Sequence, residues 1–231
     1  MTSSQPDSIR KRTSSRMPDR SHPAVRSRFK RGVDLALSAL ALAVLAPVLV
    51  VIAVLVRVTS KGPAFFRQER VGLDGRPFTV FKFRTMYLDN DDTLHRELCT
   101  RQLLGEDEAE TSDGVFKLED DPRVTSVGDW LRRVSLDELP QLINVLKGEM
   151  SLVGPRPGLQ WEVDLYRPEH LRRLAVRPGI TGLWQVSGRN HLSMLEMLDL
   201  DVRYVEEWSP WLDLRIIAMT PIVLLRGDGA R

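Results

Sequence analysis

Leu35 to Val56 contains no charged side chain in 22 positions, and this run constrains the chain more than any other feature. A helix needs about 20 apolar residues to cross the hydrocarbon core of a bilayer, so the run is long enough. A secretory signal fits poorly, because the apolar part is too long and no small-residue cleavage site closes it. A buried helix of a soluble protein ordinarily keeps a polar face, and this run has none. The segment is expected to meet lipid. Whether it spans is a separate question. Pro47 sits near the middle, after Ala46, where proline removes one helical hydrogen bond and favours a kink. Both flanks are basic: after the run, Arg57, Lys61, Arg67, Arg70, Arg76, Lys82 and Arg84 face only Glu69 and Asp74. Basic flanks stay on the cytoplasmic side. A straight span would put one of them outside. A re-entrant hairpin broken at Pro47 keeps both inside, each arm of about 11 residues reaching roughly 16 Å.

The average composition hides this segment. The chain has 231 residues, 42% hydrophobic and 28% charged, with a formal net charge of +2. Its mean hydropathy is -0.19. These values match an ordinary globular protein of one large or two small domains, and exclude collagen-like, coiled-coil and disulfide-scaffold classes. Cys99 is the only cysteine, so no intrachain disulfide forms. The charge, however, is divided. Through Arg31 there are nine basic residues and two acidic ones, a net +7, and the remainder carries 24 against 29, a net -5. Residues 1–28 are rich in Ser, Arg and Pro and read as a disordered basic tail.

Residues 29–58 then form the membrane segment, and 59–231 a cytosolic catalytic body. Phe78–Arg84 reads as a strand with Lys82 and Arg84 on one face and Phe81 and Phe83 on the other. Residues 87–104 read as a polar helix and 106–113 as an acidic loop. Further helices are predicted at about 126–133, 138–147, 159–165, 168–175, 193–207 and 211–225. The fold class is mostly α with a few short β-strands, a compact helical body joined to a re-entrant helix-break-helix. The last helix is too short in apolar residues to span. With Trp208 and Trp211 at its start it reads either as an interfacial helix or as part of the core.

Three stretches could carry chemistry. In Arg132-Arg133-Val134-Ser135-Leu136-Asp137-Glu138-Leu139-Pro140-Gln141, two adjacent carboxylates fall at a helix start. Ser135 and Glu138 fit a capping box, although Pro140 would then delete a helical bond. Asp137 as N-cap puts Pro140 at the third helical position, where its missing N–H costs nothing. A carboxylate there can serve as nucleophile beside a phosphate neutralised by Arg132 and a divalent cation. Gly154-Pro155-Arg156-Pro157-Gly158 presents Arg156 from a stiff loop suited to phosphate. Arg177–Asn190 is Gly-punctuated and, taken alone, reads as a hairpin and turn. No nucleotide-binding glycine loop and no G-x-S-x-G elbow occurs. His22, His95, His170 and His191 lack metal-ligand spacing, and no nucleic-acid-binding module is visible.

In order along the chain stand Lys30-Arg31-x-x-Asp34, Phe81-Lys82-Phe83-Arg84-Thr85-Met86 and Ser135-Leu136-Asp137-Glu138-Leu139-Pro140-Gln141. After them come Asn144-Val145-x-x-Gly148-x-Met150-Ser151-Leu152-Val153-Gly154-Pro155-Arg156-Pro157, Arg177-Pro178-Gly179-Ile180-Thr181-Gly182-x-Trp184-Gln185 and Gly188-Arg189-Asn190. This string resembles the bacterial sugar transferases, monotopic phosphoglycosyl transferases that load a sugar phosphate onto polyprenol phosphate. The resemblance runs from about residue 29 to the C-terminus and implies a minimal catalytic core behind a basic tail. It also implies a re-entrant helix broken at Pro47, with Ala46 where the family often has Ser.

The implied activity is transfer of a sugar 1-phosphate from a UDP-sugar to undecaprenyl phosphate. UMP is released through a phosphosugar-aspartate at Asp137, in exopolysaccharide, capsule or O-antigen assembly. The implied roles are Glu138 as base or metal partner, Mg²⁺ at Asp137 and Glu138, and Lys82, Arg84, Arg132, Arg156 and Arg189 on phosphate or substrate. The expected partners are the membrane, both substrates and a second copy in a homodimer, with no nucleic acid. The expected location is the cytoplasmic face of the inner membrane. A degenerate, membrane-anchored scaffold is the alternative. Trp184–Asn190 and Trp208–Leu214 lean toward a plain hexose such as glucose or galactose.

Overall fold

The computed structural model describes residues 22–88, 93–105, 121–188 and 192–226. Most of the basic tail, the acidic stretch 106–113, Arg189, Asn190 and His191 lie outside the described residues. Helices dominate, as predicted. Helix α1 (Pro23–Arg26) leads into α2 (Arg28–Thr59), which carries the whole apolar run. Strands β1 (Phe65–Val71) and β2 (Pro77–Phe83) follow as an antiparallel hairpin with Phe65 opposite Phe83 and Val71 opposite Pro77. Then come α3 (Thr93–Leu104), α4 (Ser126–Arg133), α5 (Gln141–Lys147), β3 (Ser151–Val153), α6 (Gln160–Asp164), β4 (Gly179–Thr181), α7 (Leu183–Ser187), α8 (Met194–Glu206) and α9 (Pro210–Arg226).

Three local predictions change. The helix expected from 87 starts at Thr93, because Met86 and Tyr87 pair with the segment at Arg123 and Val124 instead. Residues His170–Ala175 form a 3₁₀ turn. The stretch after Arg177 is no hairpin of its own, since β4 runs parallel to β3 and Gly154 N donates to Thr181 O at 2.9 Å. The two backbones meet so closely that a Cβ on Gly179 would lie 2.1 Å from Gly154 N. The Gly-Pro motifs at 154 and 178 are thus two halves of one packing contact.

Helix α2 runs unbroken through Pro47, so the expected helix-break-helix is not two elements here. Proline in mid-helix forfeits one hydrogen bond and kinks a helix more readily than it ends one. The body holds both ends of α2. At the start, Lys30 is buried and its Nζ donates to Asp213 Oδ2 (2.7 Å) and Val153 O (3.0 Å), while buried Asp34 accepts from Ser151 Oγ and Leu152 N. At the other end, Ile52 and Val56 pack on Phe83 and Leu131. Between these anchors Leu40, Val44, Val50 and Val54 are bare. The described chain is held earlier than its composition suggests, because Ala24 is buried and the His22 ring bonds Val205 O at 2.9 Å.

Helix α9 belongs to the core along one side and leaves apolar side chains exposed on the other. Asp213 and Ile216 face the core, while Trp211, Leu214 and Ile222 are exposed. The main core lies between α3, α6, α8 and the end of β1, and a second cluster joins α1, β3, α8 and α9.

Candidate active site

The site is built where the β2 end meets α4 and α5. Thr125 N donates to Thr85 O at 2.9 Å, and the Thr125 hydroxyl caps α4 by accepting from Gly128 N at 2.9 Å. A Cβ on Gly128 would sit 2.1 Å from Thr85 O, so only glycine lets α4 lie this close to the strand end. Arg132, one turn on, then reaches Thr85 Oγ1 through Nε at 3.0 Å. After α4, Ser135 adopts the left-handed conformation (φ 55°) and turns the chain back into a 3₁₀ turn, Leu136–Glu138. Neither expected capping arrangement forms. Ser135 makes no capping bond and Asp137 lies inside the turn rather than at an N-cap. Pro140 itself precedes α5, which still spares it a missing bond.

Two clamps fix this turn. Asn144 is fully buried on α5 and acts as an extra strand beside β2. Its Oδ1 accepts from Phe81 N (3.2 Å) and its Nδ2 donates to Thr79 O (2.7 Å). From the apolar helix, Arg31 donates to Val145 O and Leu146 O at the end of α5. The apolar helix therefore holds the helix that follows the paired carboxylates.

Lys82 Nζ donates to Glu138 Oε1 at 2.8 Å, with both side chains about one-third exposed. Asp137 is 9% exposed. Burial, and next the adjacent Glu138 charge, push its carboxyl up to about 6, against the weaker downward pull of Lys82 and Arg132. Burial lowers the pKa of Arg132, while Asp137 draws it upward. Asp137 is thus largely ionised at neutral pH, yet more basic than an ordinary carboxylate. Among the described residues no three acidic, His or Cys side chains cluster into a closed metal site. A Mg²⁺ ion needs only one or two carboxylates when phosphate oxygens and water complete its shell, and Asp137 with Glu138 fits that donor set.

Of the residues expected from the sequence, Asp137, Glu138, Lys82 and Arg132 come together. Arg84 goes elsewhere: its Nη2 donates to Ser60 O (2.8 Å) and Val56 O (3.4 Å), satisfying carbonyls at the end of α2. Pro47 lies on α2, within the apolar run. Arg156 sits on its stiff loop with Nη1 3.6 Å from Glu162 Oε2, and Arg70 reaches the same oxygen at 3.9 Å. Arg189 lies outside the described residues. Sequence reading passed over Asn144 as a positioning residue, and also Arg70 and Glu162. An amide among the apolar residues Leu142, Ile143, Val145 and Leu146 of α5 and an acid two residues before the helix-ending Asp164 were the available signals.

The family model for bacterial sugar transferases matches residues 25–227. The chain belongs to that family. It is 48% identical over 171 residues to the galactosyl transferase CpsE of Streptococcus agalactiae, covering 74% of this chain and 36% of that protein. It is 43% identical to the exopolysaccharide production protein ExoY of Sinorhizobium fredii, covering 86% of this chain and 87% of that protein. It is also 43% identical to an undecaprenyl-phosphate galactose phosphotransferase of Salmonella typhimurium, over 88% of this chain and 42% of that protein. This family member therefore spans less than half of two of these relatives and most of the third.

Proposed function

We propose that the chain transfers a hexose 1-phosphate from a UDP-sugar to undecaprenyl phosphate and releases UMP, as the first membrane step of exopolysaccharide, capsule or O-antigen synthesis. The observation that carries this reading is the buried Asp137 carboxylate between Lys82 and Arg132, on a body anchored at both ends of a bare apolar helix. The names of two relatives support the pair of substrates: the Salmonella typhimurium phosphotransferase and a UDP-glucose:undecaprenyl-phosphate glucose-1-phosphate transferase of Klebsiella pneumoniae, 43% identical over 201 residues.

In the first step an Asp137 oxygen attacks the β-phosphorus of the donor. The new Asp–O–P bond forms as the bond to the bridging oxygen breaks, and UMP leaves with that electron pair. In the second step an oxygen of undecaprenyl phosphate attacks the same phosphorus. Asp137 departs as a carboxylate, leaving undecaprenyl diphosphate sugar. Dividing the transfer lets a water-soluble donor and a lipid acceptor use one site in turn. Lys82 and Arg132 hold phosphate oxygens, and Lys82 also keeps Glu138 beside the nucleophile. Bound at Asp137 and Glu138, Mg²⁺ would neutralise phosphate charge.

The two anchored ends of α2 support a re-entrant path that bends at Pro47 and returns to the cytoplasmic face. Asp34, Ser60 and the body they touch then lie on one side of the bilayer.

The test is UMP release by purified protein from UDP-glucose and UDP-galactose with undecaprenyl phosphate and Mg²⁺. Release that depends on the lipid and is lost in Asp137→Asn is expected. No release from a panel of donors would leave the scaffold reading in its place. For topology, cysteines placed at the exposed residues 29 and 61 should both resist an impermeant thiol reagent in intact cells, and labelling of one alone defeats the hairpin.

A further inference from the structure

Lys82 belongs to a row on the β-hairpin. Register pairs Phe66 with Lys82, Gln68 with Val80 and Arg70 with Phe78. Alternation therefore puts Gln68, Arg70 and Lys82 on one face. Lys82 is matched by Glu138, and Arg132 stands beside Asp137. Arg70 is matched differently. It shares the Glu162 carboxylate with Arg156, at 3.9 and 3.6 Å, and Glu162 also accepts from Leu159 N at 2.7 Å. The neighbouring Arg173 has its own buried partner in Asp201. Two guanidiniums thus meet one carboxylate, leaving one positive charge in excess. Arg70 stays in place through Nη1 to Pro157 O (3.1 Å) and through Nε and Nη2 to Gln68 Oε1. Its pKa is lowered to about 10 by burial and then by Arg156, while Glu162, Tyr166 and the nearby Glu138 pull upward. Arg156 remains 32% exposed, so the excess charge is reachable from outside.

A guanidinium pair with a single counter-charge in a half-buried site is costly unless a second anion completes it, and its planar forks match phosphate. Given the transfer proposed above, the phosphate attacked by Asp137 occupies Lys82 and Arg132. A second cation pair, with Arg70 on the strand face that carries Lys82 and within electrostatic reach of Glu138, suits the other phosphate of the same diphosphate. We infer that Arg70, together with Arg156, binds the nucleotide-side α-phosphate of the donor and of the UMP product. Glu162 positions the pair and offsets part of its charge.

Binding of UMP to the full-length protein in detergent, followed by calorimetry, tests this without turnover. Arg70→Gln should weaken UMP binding about 10-fold or more, the loss of a charge-assisted contact, while leaving uridine binding unchanged. Donor KM should rise by a similar factor, with little change in kcat and none in acceptor KM. Glu162→Gln should do the reverse, tightening UMP several-fold because the pair loses its counter-charge. A purely structural cluster would weaken binding in both variants. Wild-type UMP affinity in Arg70→Gln, or weaker binding in Glu162→Gln, overturns the inference, and the sign seen in Glu162→Gln decides it if Arg70→Gln does not fold. Wild-type protein that releases UMP through Asp137 while Arg70→Gln keeps full affinity fails this inference alone. Absence of UMP release in wild type fails the transfer reading, and UMP affinity still reads Arg70.

Discussion

Asp137 and Glu162 are two buried carboxylates among arginines, and their acidities move in opposite directions. Glu162 is 1% exposed and is held below the usual carboxylate range, because Arg156, Arg70 and the Leu159 amide outweigh its burial. Asp137 is less buried, yet it is pushed up to about 6 by desolvation and by Glu138. Depth alone does not set the direction. Glu162 is approached by two guanidiniums, whereas the cations near Asp137 are committed elsewhere, Lys82 to Glu138 and Arg132 to Thr85. Under the proposed function, one carboxylate is a counter-ion and the other the reactive group.

The largest effect should come from removing that reactive group. Asp137→Asn is expected to lower UMP release by about 10⁶-fold, the scale for loss of a nucleophile. Residual activity within tenfold of wild type would erase the distinction between the two acids. Next in size is Glu162→Leu, which leaves two arginines facing an apolar side chain. Breaking a buried charge cluster in this way costs about 3–5 kcal/mol, to be read from denaturant unfolding. An unchanged midpoint would show that Glu162 is not the structural member of the pair.

Stability should respond to Asp137 with the opposite sign. Its folded pKa of about 6 lies above the ordinary value of 3.8, so the folded chain binds this proton more tightly. The fold is favoured below pH 4 and loses that advantage as pH rises through 6. At pH 7.5 Asp137→Asn should therefore stabilise the protein by about 2–3 kcal/mol. The gain should vanish at pH 4, and equal melting shifts at both pH values would refute the assignment.

The smallest effect is a displacement of the pH profile. Donor kcat/KM should fall on the acid side with a limb near 6, where Asp137 becomes protonated. Residual turnover of Lys82→Met should show the limb moved upward, since a downward pull is lost. Glu138→Gln should move it downward, by up to about one unit. A limb that ignores both changes belongs to another group.

Much of this site was legible in the chain. Adjacent acids after a basic pair, a short aromatic strand carrying Lys82 and an arginine one turn before Asp137 are local patterns, and they converge in space. The roles of Arg84, Lys30 and Arg31 were not legible. As letters they are a basic collar around an apolar run. In the fold Arg84 and Arg31 satisfy helix-end carbonyls and Lys30 lies in a buried network with Asp213 and Tyr204. The distinction depends on distant partners, at separations of 24 to 183 residues, which no local window contains. Asn144 escaped notice for the same reason, because its amide completes the edge of a strand over sixty residues earlier.

By itself, the sequence determined that a 22-residue uncharged run must avoid water, that the body is mostly helical and that Asp137 and Glu138 lie next to each other. Hydrophobic patterning and covalent adjacency suffice for those. Only the tertiary structure decided which cations face which acids. It tied both ends of the apolar helix to one body and left Arg70 and Arg156 with a single carboxylate between them. Charge pairing depends on distance and desolvation, and both are set only when segments far apart in the chain pack together.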